Sequence, residues 1–91
     1  MERKQITVHG RVQGVGFRAA TKQVADQIGI YGLVKNQPDG TVLIEAEGPT
    51  DQLSRFIKEI EDGPTPFSKV ENMDVQEKDQ LDNHKKFKVV Q

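Results

Sequence analysis

The residues best suited to chemistry in this chain form a glycine-rich turn, residues 14–16, followed by Phe17 and Arg18. Glycine lets a backbone approach an anion closely, and consecutive N–H groups in such a turn can point into one concavity. Arg18 adds a planar guanidinium that matches two phosphate oxygens. An arginine in the first turn of a helix opposes the helix dipole, and a bound anion would explain it. We therefore interpret the turn as a cradle for one phosphate group.

Two other phosphate-binding motifs fit this turn poorly. A Walker loop ends in Gly-Lys-Ser/Thr, which is missing here. Residues 14–19 do match the Gly-x-Gly-x-x-Ala form of the dinucleotide fingerprint. The second predicted strand, however, ends at Asn36 without an acidic residue to hold a ribose, and 91 residues are too few for two mononucleotide-binding halves. Both alternatives are rejected.

Apolar periodicity predicts the elements that flank the turn. Residues 6–12 alternate as a strand does, with Gly10 on the buried face, and Gly29 is a natural end for the helix that begins at Phe17. The buried stripe of that helix is predicted to be Phe17, Ala20, Val24 and Ile28. Strands over 31–36 and 42–46 follow. Because Val34 and Val42 should share the core face, their hairpin is expected to have a three- or five-residue loop with a left-handed glycine.

The second half of the chain shows the clearest helical signal. Its i, i+3, i+4, i+7 pattern predicts a core stripe of Leu53, Phe56, Ile57 and Ile60. A fourth strand is expected around residues 70–75, where a slip in phase suggests a bulge. Residues 77–86 are polar and are predicted to form a loop. The alternation of Phe87 and Val89 predicts a short last strand that covers a sheet edge.

This order of elements is βαββαβ with one extra strand. Two right-handed crossovers would place both helices on one face of a mostly antiparallel sheet. The predicted fold class is therefore α+β, a ferredoxin-like two-layer sandwich, formed by a single domain over residues 1–91. The other face of the sheet is expected to meet water, because its predicted residues are polar: Thr7, His9, Arg11, Glu45 and Glu47.

Composition narrows the class of partner. The formal net charge is −1, which gives no strong field to attract nucleic acid or an anionic membrane. No apolar run is long enough for a signal peptide or a membrane span. The chain has no cysteine, which fits a reducing cytoplasm. We expect a cytoplasmic monomer that binds neither nucleic acid nor membrane.

Two segments resemble known signatures. Residues 10–18, GRVQGVGFR, are similar to the N-terminal signature of the acylphosphatase family. Residues 32–42, GLVKNQPDGTV, followed by Gly48, resemble its second signature. The motifs have the family's order and separation, and the resemblance covers nearly the whole chain. Leu33 departs from the large aromatic that is usual there. Leu33 should point to the solvent side of the sheet, opposite Val34. The change is therefore expected to affect packing at the surface more than the chemistry.

The resemblance implies hydrolysis of acyl phosphates. Because the sequence shows no cluster of metal ligands and the predicted cradle consists of an arginine and backbone amides, we expect the reaction to need no metal or cofactor. The resemblance identifies Arg18 as the phosphate-binding residue and Asn36 as the residue that orients the attacking water. The carboxylate leaving group needs no general acid, and the resemblance suggests that the substrate phosphate itself accepts the proton of the water. The phosphate-binding segment comprises Gln13, Gly14, Val15, Gly16, Phe17 and Arg18. Which acyl phosphate is the physiological substrate stays open.

The histidines and loop carboxylates have simpler interpretations. His9 is expected on the open sheet face and His84 in a solvated polar loop, and neither has partners at metal-ligand spacing. Asp39 is expected to serve its own turn.

Two other functions share this fold class. RNA-recognition modules stack bases on aromatic residues of the central strands, but residues 41–47 have no aromatic residue and carry two carboxylates. A non-catalytic anion-sensing or regulatory domain is the second alternative. The presence of both Arg18 and Asn36 favours an enzyme over a sensor.

Overall fold

The computed structural model describes residues 1–79 and 84–90. Within them the chain forms β1 (Glu2–Arg11), α1 (Phe17–Ile28), β2 (Tyr31–Asn36), β3 (Val42–Gly48), α2 (Thr50–Glu61), β4 (Lys69–Glu77) and β5 (Phe87–Val90). The predicted order βαββαβ with a short final strand is confirmed. Part of the predicted loop over 77–86, namely residues 80–83, lies outside the described residues. No described helix has the length and apolar character needed to cross a membrane.

The strands form one sheet in the order β4-β1-β3-β2-β5. β1 is antiparallel to β3 and β4, and β2 is antiparallel to β3 but parallel to β5. α1 packs on β2 and β5, α2 packs on β3 and β4, and the two helices contact each other. The predicted ferredoxin-like α+β architecture is confirmed, and β5 covers the edge of β2 as expected.

The β2–β3 hairpin determines where Asn36 points. Asn36 pairs with Val42, which leaves the five-residue loop 37–41, and Gly40 has a φ of 92°. Both features were predicted. Successive strand residues alternate between the faces of a sheet, and Val34 is fully buried under the helices. Asn36 therefore lies on the helix-covered face, at the end of β2.

A β-bulge precedes the phosphate turn. The pairing of β1 with β4 shifts between His9 and Gly10, and the shift leaves Glu71 as an extra residue on β4. This is the predicted slip in phase. The two backbones come so close that a Cβ on Gly10 would lie 2.1 Å from the carbonyl oxygen of Lys69. Bulges increase local twist, so β1 changes direction immediately before the turn.

The buried stripe of α1 differs from the prediction. Ala20 and Val24 are only half-buried, and the fully buried positions are Phe17, Thr21, Ala25 and Ile28. Val24 packs at the margin of the core and also lies beside Glu59 and Asp62 at the C-terminal end of α2. Phe17 and Ile28 are buried as predicted, but Thr21 and Ala25 replace Ala20 and Val24. The buried face is thus turned by roughly half a residue from the predicted one, because the neighbours of α1 are both the sheet and α2. The predicted stripe of α2 is correct, with Ile57 at its half-buried margin.

The rotation of α1 buries a hydroxyl group. Thr21 is fully buried, and its Oγ1 has no hydrogen-bond partner among the described residues. We expect Thr21→Val to raise the free energy of unfolding by about 1 kcal/mol, because valine has the same shape and no polar atom to desolvate. For a domain of this size that is a rise in Tm of roughly 4–8 °C, measurable by thermal denaturation. An unchanged or lower Tm would show that the hydroxyl has a partner in solution.

The sheet face opposite the helices, called the open face below, is less exposed than predicted. Glu47 is only 6% exposed and accepts a hydrogen bond from Arg3 Nε at 3.1 Å. The expectation that His84 is solvated is wrong, because its side chain is 6% exposed and its Nε2 lies 3.2 Å from Glu45 Oε1. β4 and β5 occupy opposite edges of the sheet and the helices cover one face. The connection that carries His84 therefore reaches the open face.

Other residues of the open face follow the prediction. His9 is partly exposed, and its Nε2 lies 3.0 Å from Asp74 Oδ2. Leu33 lies on this face, opposite Val34, where it pairs with Glu45 and is half-buried.

Candidate active site

The turn between β1 and α1 has the backbone that an anion cradle requires. Gly14 and Gly16 have φ values of 73° and 75°, in the left-handed region that disfavours residues with a Cβ. Gly16 is also the N-cap of α1, and no described side chain caps the helix by a hydrogen bond. No acidic residue occupies the first turn. The first N–H groups of α1 and the positive end of its dipole are therefore available to an anion beside the turn.

Arg18 is held against the end of the last strand. Its Nη1 donates a hydrogen bond to the carbonyl oxygen of Val90 at 3.0 Å. The contact uses one of the five guanidinium N–H donors, so the others can bind a further acceptor. Because β5 pairs with β2, this bond ties the start of α1 to the same end of the sheet as Asn36.

Arg18 and Asn36 line one cleft of about 200 Å³. Gly14 and Gly16 form part of its wall, and Val12 and Val89 contribute apolar surface. The structure thus brings together two side chains that are far apart in the sequence and that were predicted to share a site. Gln13 and Val15 were predicted to bind the phosphate through their backbone amides, and their side chains do not face the cleft: that of Val15 packs against the core, and that of Gln13 points to the β2–β3 hairpin.

Asn36 has an unusual environment for an amide. Its Oδ1 is buried and has no hydrogen-bond partner within residues 1–79 and 84–90. Leaving a buried polar atom without a partner costs about 1–3 kcal/mol, so most such atoms are paired. The side chain that carries this oxygen also lines the cleft, where function rather than packing can account for it.

Gln13 makes a contact that sequence reasoning missed. Its Nε2 donates to the carbonyl oxygens of Gln37 at 2.9 Å and Thr41 at 2.8 Å. The prediction used only the backbone of Gln13. Nothing in the local pattern marks the side chain, because its partners lie 24 and 28 residues away.

The hairpin loop is organised by its own residues. Asp39 Oδ1 accepts hydrogen bonds from the amide of Thr41 at 3.0 Å and from its hydroxyl at 2.6 Å. These bonds, led by that from the hydroxyl, hold the pKa of the Asp39 carboxyl below its usual value. The local role predicted for Asp39 agrees with these contacts. No group of three or more His, Asp or Glu in the described part of the chain is arranged to hold a metal ion.

Comparisons with known proteins identify the family. The family model for acylphosphatase matches residues 4–89. An acylphosphatase of Enterococcus faecalis is 50% identical over 91 residues, which cover the whole of both chains. The crystal structure of acylphosphatase from Bacillus subtilis superposes with a TM-score of 0.94 at 44% identity, again over the whole of both chains. That of an acylphosphatase from Coxiella burnetii gives 0.89 at 30% identity, over 98% of this chain and 92% of that one. This chain belongs to the acylphosphatase family.

Proposed function

We propose that this chain hydrolyses the carboxyl–phosphate anhydride of acyl phosphates to a carboxylate and inorganic phosphate. The observation that carries the proposal is the single cleft lined by the glycine turn, Arg18 and Asn36. The family supports it, since relatives named acylphosphatase are about half identical over most of the chain. The proposed substrate class is small-molecule acyl phosphates.

The phosphoryl group would be held by preformed donors. We assign this role to the backbone N–H groups of residues 13–18 and to the guanidinium of Arg18. Charge in a loose phosphoryl-transfer transition state is spread over the phosphoryl oxygens. Donors that are already oriented stabilise that charge without reorganising during the reaction. The left-handed glycines and the bond from Arg18 to Val90 supply this orientation.

The attacking water would be oriented by the side-chain amide of Asn36. As the bond from the water oxygen to phosphorus forms, the bond from phosphorus to the acyl oxygen breaks and the carboxylate leaves. The proton of the water passes to a phosphoryl oxygen of the substrate. A carboxylate of low pKa leaves without protonation, so the scheme needs no general acid or base from the protein. The position of Asn36 in the same cleft as Arg18 supports a role in binding the water.

The alternative function is a non-catalytic sensor of anions. A sensor would use the cradle and Arg18 but would not need the side chain of Asn36 in the same cleft. The deciding experiment is incubation of the purified chain with benzoyl phosphate, with release of inorganic phosphate as the readout. The Arg18→Ala, Asn36→Ala double variant serves as the blank. Binding of phosphate without turnover would favour the sensor.

We expect the hydrolysis to be independent of added metal. The proposed donors are N–H groups, which bind phosphoryl oxygens directly and leave no step that requires a cation. Turnover of benzoyl phosphate should therefore be unchanged after exhaustive treatment with EDTA. Loss of activity on chelation, restored by Mg²⁺ or Zn²⁺, would contradict the scheme.

Inorganic phosphate is expected to inhibit competitively. As a tetrahedral anion it presents to Arg18 and the turn the same oxygens as the substrate does. A steady-state series at several phosphate concentrations should raise KM and leave kcat unchanged. Purely noncompetitive inhibition would place the anion at another site.

The remaining expectations are also proposals. We propose that residues 1–91 form one domain that works as a monomer in the cytoplasm, and that neither nucleic acid nor membrane is a partner. The net charge of −1 supports the absence of a polyanion partner. Light scattering during size-exclusion chromatography would test the monomer.

A further inference from the structure

We infer that the side chain of Gln13 is a positioning group that fixes Asn36 relative to the phosphate cradle. The inference rests on the proposed role of Asn36. Asn36 and Val42 are the last paired residues of the β2–β3 hairpin. The two carbonyl groups that accept hydrogen bonds from Gln13 belong to Gln37 and Thr41, the next residues on either strand. Gln13 thus holds both sides of the hairpin immediately beyond Asn36.

The backbone pairing of the sheet does not link the phosphate turn to the β2–β3 hairpin. The ladder between β1 and β3 ends at the pair Val8 and Val42. The rest of β1, from His9 to Arg11, pairs with β4 on the other side. The chain that leads into the cradle therefore separates from the hairpin that carries Asn36. The side chain of Gln13 spans the gap between them.

The hairpin can fold without Gln13. The amide of Gln37 donates to the carbonyl of Thr41 at 2.9 Å, and the amide of Gly40 donates to the carbonyl of Gln37 at 3.1 Å. A carbonyl oxygen has two lone pairs, so Gln13 occupies the second acceptor position on each. Removing its amide would leave neither carbonyl without a partner. The contribution of Gln13 is therefore to relative position more than to stability.

Catalysis should be sensitive to that position. A displacement of about 1 Å in a reacting group can lower a rate on the order of 100-fold. Asn36 is fixed by the hairpin, whereas the phosphate donors depend on the glycine backbone and on the contact of Arg18 with Val90. Loss of the Gln13 amide should thus misplace the water more than the phosphate.

The first test is Gln13→Met, which preserves an unbranched side chain of similar length but has no donor. With benzoyl phosphate we expect kcat to fall by about tenfold or more, while the inhibition constant for inorganic phosphate changes by less than about threefold. Gln23→Met, at an exposed position of α1, is the matched control and should leave both constants unchanged. A kcat close to that of the parent would overturn the inference, as would a loss of phosphate affinity as large as the loss of kcat.

The second test is a double-mutant cycle with Asn36→Ala. If Gln13 acts through Asn36, Gln13→Met should lower kcat by less than about twofold in the Asn36→Ala background. An undiminished loss there would show that Gln13 acts elsewhere. Gln13→Asn, whose amide is one methylene too short to reach both carbonyls, gives a second variant for the same cycle if the Met variant fails to fold.

If Asn36→Ala alone retains full kcat, the proposed role of Asn36 fails. If that variant is impaired but the Gln13 variants are not, only the positioning inference fails.

Discussion

Asn36→Ala is expected to lower kcat on the order of 100-fold or more, with little change in the inhibition constant for inorganic phosphate. The amide would contact the attacking water and not the phosphoryl oxygens. Its contribution therefore appears in the transition state and is absent from the complex with the inhibitor. Asn72→Ala, at an exposed position of β4, is the control for removal of an amide. If Asn36→Ala keeps nearly full kcat and an unchanged Tm, another group must place the water.

Asn36→Asp separates orientation of the water from base catalysis. A carboxylate could accept the proton of the water, but its charge would also repel the phosphate of the substrate. We expect the aspartate variant to be as slow as the alanine variant or slower near neutral pH, measured by kcat with benzoyl phosphate. An aspartate variant that equals the parent enzyme would show that a general base is favourable at position 36. The substrate-assisted transfer of the proton would then be wrong.

Arg18→Ala is expected to impair both binding and rate. Loss of a charge-assisted pair costs on the order of 2–4 kcal/mol, or about one and a half to three decades in kcat/KM. Phosphate inhibition should weaken as well, because Arg18 would contact the phosphoryl oxygens before and during the reaction. This simultaneous loss distinguishes Arg18 from Asn36. A variant with normal phosphate affinity would remove Arg18 from the phosphate site.

Arg18→Lys tests whether the guanidinium geometry matters. Lysine keeps the charge but cannot bind two phosphoryl oxygens in one plane, nor can it readily bind Val90 and the phosphate with the same geometry. We expect activity between those of the alanine variant and the parent. Arg11→Ala, an exposed arginine at the end of β1, is the control for general positive charge near the turn. A fully active lysine variant would contradict the bidentate role.

Much of the fold could be predicted because its information is local. Each helix and strand has its own periodicity, and the five-residue hairpin loop follows from the parity of Val34 and Val42. The bulge at Glu71 was visible as a break in the alternation of apolar residues between Val70 and Met73. The predictions that were wrong concern contacts between elements that are distant in the sequence. Hydrophobicity could not show that Thr21 is more buried than Ala20, since the rotation of α1 depends on its contact with α2.

The same limit applies to the site. The glycines, Arg18 and Asn36 could be identified because residue type and motif mark them. The contacts that support them join distant segments: Gln13 with the hairpin, and Arg18 with a backbone carbonyl of β5, 72 residues away. A backbone carbonyl has no residue type that a sequence pattern could mark. The burial of His84 against Glu45 was missed for a related reason, because it depends on which face of the sheet His84 contacts.

The strand order has a consequence for the speed of folding. Glu2 pairs with Gly48 and Lys4 with Glu77, so the central strand finds its partners only after long loops close. Domains dominated by such distant pairings fold in milliseconds to seconds, on the order of a thousand times more slowly than helical bundles. The anchor of Arg18 lies on β5, the last described strand. Because a domain of this size folds in one cooperative step, hydrolytic activity should reappear during refolding at the same slow rate as the circular dichroism of the helices.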